Sequence, residues 1–156
     1  MLLQFKKNEF GAVTEFFLMP LGAKDILSSK FWSRVWSTYS LYDPSYQNRE
    51  SYGFFIDVGN GWSTLIPSFL FLVGMSVPIM PARALGVMGV VKFYQEFYGT
   101  VLYFLSYLLN KRYEGKTLTE VLLFVGLSNG LWFFFPMLGM YLSVLMIYAD
   151  SFAIFL

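Results

Sequence analysis

The chain has 156 residues and a net charge of +1; 56% of its residues are hydrophobic, 21% aromatic and 13% charged. A soluble domain carries roughly a quarter charged residues, so about half the usual solvating charge is missing, and 18 Phe, 11 Tyr and 8 Met exceed what one small aqueous core hides. The near-neutral balance excludes a nucleic-acid face, which needs concentrated positive charge. The absence of Cys and His excludes disulfides, thiolate chemistry and the commonest metal ligand.

Residues 1–9 hold Lys6, Lys7 and Glu9 and no cleavable signal pattern. An apolar stretch follows, predicting a partial first helix over about 8–19 that is too short to span and ends at Pro20 and Gly22. Residues 23–53 are amphipathic and aromatic, with Phe31, Trp32, Trp36, Tyr39, Tyr42, Tyr46 and Tyr52 among Ser, Lys and Arg. That mixture suits the bilayer–water interface, where Trp and Tyr concentrate.

A bilayer core of ~30 Å needs about 20 apolar residues in a helix. Three stretches meet that length and predict spans over about 54–80, 84–109 and 118–147. The first contains Asp57, Asn60 and Pro67, the second Lys92, Gln95 and Glu96, and the third Glu120, Asn129 and Pro136. A turn at 81–83 and a polar loop at 110–117 join them. No repeat or low-complexity tract breaks the chain, and one domain over 1–156 is expected. Lys24, Lys30, Arg34, Arg49, Lys111, Arg112 and Lys116 would share one side, cytoplasmic by the positive-inside rule, against Lys6, Lys7 and Arg83.

Ionisable groups inside a span are costly and point to function first. Glu96 lies about 18 Å along its helix and Asn129 about 16 Å along the next, at 1.5 Å per residue, so both fall near mid-membrane and are expected within reach of each other. Glu96 has a second reading: Lys92, one turn earlier, neutralises it. Gln95 and Asn129 likewise read either as ligand contacts or as interhelical hydrogen bonds. Asp57 reads as a pocket carboxylate or as a group reaching the interface, with Asn60 one turn deeper on its face. Trp132 shares the face of Asn129 and is otherwise ordinary packing. Glu15 and Asp43 fall in the short and interfacial segments, and Asp43 before Pro44 alone reads as a turn.

The run Gln95-Glu96-Phe97-Tyr98-Gly99-Thr100-Val101-Leu102-Tyr103, followed by Ser128-Asn129-Gly130-Leu131-Trp132 and Pro136, resembles the emopamil-binding protein family, or EXPERA domain. Trp36-Ser37-Thr38-Tyr39 with Asp43-Pro44, and Phe54-Phe55-Ile56-Asp57, look like that family's aromatic loop and the acidic opening of its next helix. The resemblance covers about residues 15–147. It implies an all-α integral membrane fold, a four-helix transmembrane bundle of EXPERA type with a shortened first helix, multi-pass in the endoplasmic reticulum membrane.

Members include sterol double-bond isomerases and the sigma-two receptor. The resemblance implies catalytic roles for Glu15, Asp57, Asn129 and Trp132, and Asp43 matches an acidic position of the receptor branch; with it, Asn60, Gln95, Glu96, Tyr98 and Tyr103 are the expected ligand contacts. Burial keeps a carboxyl protonated near neutrality, and an aromatic face such as Trp132 steadies a carbocation. The expected activity is double-bond migration in a sterol or polycyclic terpenoid, without cofactor or metal. The expected partners are that ligand and the bilayer, with no nucleic acid, and a homodimer is left open. The isomerases carry a His one turn before the acid of the first helix; here that position is Gly11. This favours the alternative, a non-catalytic sterol- or lipid-binding protein, and a purely structural membrane subunit is the third reading.

Overall fold

A computed structural model describes Phe16 and residues 18–40, 43–46, 48 and 51–155. Glu15 and most of the expected partial helix 8–19 lie outside these residues. The chain divides into two compact units, Met1–Asn48 and Arg49–Leu156.

In the first unit a single turn, Ala23–Ile26, precedes helix α1, Ser29–Tyr39. Ser28 starts α1 because its hydroxyl accepts the Phe31 amide at 3.3 Å, satisfying one of the free N–H groups of the first turn. After α1 the Asp43 carboxylate accepts the Ser45 amide at 3.0 Å, the local turn that Asp before Pro foreshadows. Tyr46 then packs edge-on against Tyr39, ring centres 5.3 Å apart.

The second unit holds four helices: α2, Tyr52–Ser63; α3, Leu65–Ser76; α4, Ala82–Leu109; and α5, Leu118–Ala149. Every described regular element is helical, as the sequence predicts. The expected span 54–80 is the pair α2 and α3, bent by 45°. The cause is local. Pro67 has no N–H to give the Ser63 carbonyl, and in the first turn of α3 that loss costs nothing. On the α2 side the Thr64 hydroxyl and amide both donate to the Asn60 carbonyl, at 2.6 Å and 3.0 Å, and close the helix.

Helices α4 and α5 run antiparallel along a long seam. The buried positions of α4 (Gly86, Gly89, Lys92, Glu96, Thr100, Tyr103 and Tyr107) recur every three or four residues, one stripe of the helix. Pro136, Gly139, Ser143 and Met146 form the matching stripe of α5. Close approach leaves no room for a side chain at several glycines, Gly86 and Gly139 of the seam among them. A Cβ on Gly86 would lie 2.8 Å from the Ser143 carbonyl oxygen, and one on Gly139 would lie 2.6 Å from the Phe93 ring. Phe71 of α3 joins Ala82, Leu85 and Met146 in the core cluster at one end of the seam.

Helix α5 is not uniform. Thr117 and Glu120 form a reciprocal N-terminal cap. Val121–Leu127 then widens into a π-helix, whose side-chain neighbours supply donors: Ser128 to the Phe124 carbonyl, and Asn129 to the Val125 carbonyl at 2.9 Å.

Helix α5 is long and apolar enough to cross a bilayer, and α2 with α3 passes the same criteria as one bent span. Only 11% of the most apolar stretch of α5 is buried within the chain, whereas the core helix of a soluble protein is mostly covered. Helix α4, expected as a span over 84–109, has the length. Its Lys, Gln, Glu and tyrosines hold it below bilayer-helix apolarity.

Candidate functional site

Polar side chains in so apolar a fold collect along α4, on two neighbouring faces. Glu96 lies on the seam face. The Lys92 ammonium donates to both its carboxylate oxygens, at 2.8 Å and 2.9 Å, and both residues are more than nine-tenths buried. The i,i+4 spacing puts them side by side, and a charge taken from water needs such a partner. The Lys92 ammonium also sits 4.1 Å from the Phe93 ring centre. The pairing with Lys92 that the spacing predicts is the one observed.

The seam register also corrects the expected meeting of Glu96 with Asn129. Phe93 lies against Gly139 and Thr100 against Trp132. Glu96 is therefore level with about Pro136, two turns or roughly 10 Å from Asn129 along the axis. Asn129 donates to its own helix, at the Val125 carbonyl.

Thr100 was not singled out from sequence and has a definite task. Pro136 cannot donate to the carbonyl four residues before it, that of Trp132. The Thr100 hydroxyl, shared with the Glu96 carbonyl at 2.9 Å, reaches the Trp132 carbonyl at 3.2 Å. A half-buried carbonyl that lost its helical partner thus finds a shared donor across the seam. The sequence signal is Pro136 itself, but naming the donor needs the register.

The second face of α4 carries Gln95 and Gly99 and meets α2. Gln95 Nε2 donates to Asn60 Oδ1 at 3.0 Å and to Ser63 Oγ at 2.7 Å. Two predicted residues are thereby joined, with Ser63 as a partner the sequence did not reveal. A Cβ on Gly99 would lie 3.1 Å from Ile56 and 3.5 Å from Asn60 Nδ2. Asp57 follows Ile56 and stands one turn before Asn60, half-buried. Since Ile56 is level with Gly99, and Trp132 with Thr100, Asp57 and Trp132 share one depth on adjacent sides of α4.

The remaining predicted residues are dispersed. Tyr98 is exposed and stacks on Tyr94 with ring centres 5.7 Å apart. Tyr103 is buried, with the Arg112 guanidinium 5.4 Å from its ring centre and from that of Tyr107. Asp43 is fully buried in the first unit, in its turn with Ser45. Glu15 lies outside the described residues. Among the described residues, no group of three carboxylates converges to hold a metal ion.

No protein-family model, curated protein or solved structure matches the chain.

Proposed function

We propose that the chain is a multi-pass protein of the endoplasmic reticulum membrane with a four-helix bundle of EXPERA type, and that it shifts a carbon–carbon double bond in a sterol or polycyclic terpenoid. One observation carries the reading: Asp57 and Trp132 stand at one depth beside α4, with Gln95 and Asn60 joined next to them. At that shared depth an acid and an electron-rich ring would flank one ligand. A carboxyl would protonate one alkene carbon, and the resulting cation would rest against the Trp132 face. Loss of a proton from the neighbouring carbon would complete a redox-neutral isomerisation. Asp57 and Glu15 would share the acid and base roles, and Asn129 would orient. The apolar outer surfaces, Phe134 and Phe135 of α5 among them, would face lipid.

The second reading is a sterol- or lipid-binding protein without turnover. It is favoured by the Lys92–Glu96 pair, which removes one acid from service, and by Gly11 where the isomerases carry His.

The test is turnover in heavy water by membranes of a eukaryotic host lacking its own sterol isomerase. Deuterium in a product with a moved double bond, abolished by Asp57→Asn while sterol binding persists, is expected. Retained sterol without isomerised product selects the binding reading. Absence of saturable sterol binding in the folded protein overturns both.

A further inference from the structure

Helix α1 divides into two halves around its axis. At 100° per residue, Phe31, Trp32, Val35, Trp36 and Tyr39 fall on one side, and Lys30, Ser33, Arg34, Ser37 and Thr38 on the other. A core-facing helix would bury its whole apolar half. Here Tyr39 is buried, whereas Trp32 and Trp36 are 48% and 46% exposed.

The two exposed rings are large, rigid and amphipathic, the kind of side chain that settles at the lipid headgroup level. The Trp32 indole N–H already donates to the Ile26 carbonyl at 2.8 Å. The ring can therefore enter an apolar layer without leaving an unsatisfied donor behind. That same bond ties the preceding turn to α1, and the turn adds Ile26 and Leu27, both exposed.

The charge on this element is one-sided. Lys24, Lys30 and Arg34 are all exposed, and none pairs with a described carboxylate. The nearby Asp25 is engaged by the Gly22 amide at 3.0 Å. An apolar half bearing two tryptophans beside three exposed cations, with Asp25 the one described carboxylate in the segment and Arg34 over the Phe16 ring, is complementary to an anionic leaflet, which attracts basic segments at its surface.

We propose that α1 lies in the plane of the membrane surface and binds anionic lipid headgroups through Lys24, Lys30 and Arg34, with Trp32 and Trp36 seated in the acyl boundary. This rests on the membrane reading of the chain and adds the ligand class of a region outside the catalytic proposal.

Because the chain has no cysteine, single spin labels on the full-length protein test it. The full chain is reconstituted in phosphatidylcholine vesicles and in vesicles containing phosphatidylserine as well. Labels at Trp36→Cys, Ser37→Cys and Phe134→Cys report their collisions with oxygen, which favours lipid, and with a water-soluble nickel chelate. The expected result is oxygen dominance at 36 and nickel dominance at 37. Adding phosphatidylserine deepens position 36, and that shift is lost in the Lys24→Gln/Lys30→Gln/Arg34→Gln variant.

Nickel dominance at both 36 and 37 overturns the proposal, as does shielding of both from either collider, which means a protein surface covers α1. An unchanged depth on adding phosphatidylserine overturns the anionic specificity. The label at 134 separates the failures: oxygen dominance there with an aqueous α1 refutes this inference alone, and nickel dominance there refutes the membrane reading beneath it.

Discussion

Helix α4 has two partners, and it meets them by different means. Against α5 it uses small residues and backbone approach: Gly86 touches the Ser143 carbonyl and Gly139 the Phe93 ring, with no room for a methyl group. Against α2 it uses hydrogen bonds, Gln95 to Asn60 and Ser63, while Gly99 meets only the flexible end of Ile56 and the Asn60 amide. A close-packed seam has one register and no slack. A contact made by side-chain amides beside a broken helix has fewer packed atoms to reposition. The α4–α5 seam is therefore the frame, and α2, which carries Asp57, is the element with more room to shift.

Substitutions on the two sides of α4 set these contacts against each other. The largest effect is expected for Glu96→Ala, which strands the Lys92 ammonium inside the seam and costs about 3–5 kcal/mol. Unfolding of the detergent-solubilised protein by SDS titration measures it. In the same assay Lys92→Met with Glu96→Leu returns to wild-type stability or above, because no charge is then left unpaired. If the single and the double changes cost the same, the pair is not a structural element of the seam.

Gly86→Val comes next. Its Cβ meets a main-chain oxygen at 2.8 Å, which cannot rotate away, so helix separation costs about 1–3 kcal/mol. Ala at the more open Gly99 costs less, since Ile56 can shift. Equal losses at the two glycines would erase the contrast between rigid and yielding contacts.

Gln95→Leu removes two hydrogen bonds of the α2 contact, roughly 1 kcal/mol each at most. Its signature is local: hydrogen exchange quickens in α2 and not in α5. Faster exchange spread equally over both helices would mean that α2 is no more adjustable than the seam.

The smallest effect, about 1 kcal/mol, is expected for Thr100→Val, which leaves the Trp132 carbonyl without its donor. Pro136→Ala supplies a helical N–H to that same carbonyl, so the Thr100→Val loss shrinks in that background. Additive losses in the double variant would show that the two residues do not serve one acceptor.

Much of the helical content was legible because its causes are local. Ser28, Ser51 and Thr117 each cap the helix that follows them, and Lys92 with Glu96 at i,i+4 is readable from spacing alone. In their bounds the expected stretches 84–109 and 118–147 nearly coincide with helices Ala82–Leu109 and Leu118–Ala149, of which only the second is apolar enough to be a candidate span. The stretch 54–80 bends at Thr64 and meets the span criteria only as a pair of helices. An apolar run containing a proline reads the same whether the helix continues or bends, and the bonds of Thr64 to the Asn60 carbonyl decide it.

The candidate site divides along the same line. Sequence by itself determined that the chain is helical, rich in lipid-compatible surface and sparing with charge, because composition, capping and the 3.6-residue period act within one segment. It also supplied the residues: Asp57, Asn60, Gln95, Glu96, Asn129 and Trp132. Only the tertiary structure decided which of them associate. Register between helices is set by small residues and by the one donor that fits one orphaned carbonyl, and both are properties of two segments at once. That register parted Glu96 from Asn129, joined Gln95 to Asn60, assigned Thr100 to Trp132, and put Asp57 and Trp132 at one depth.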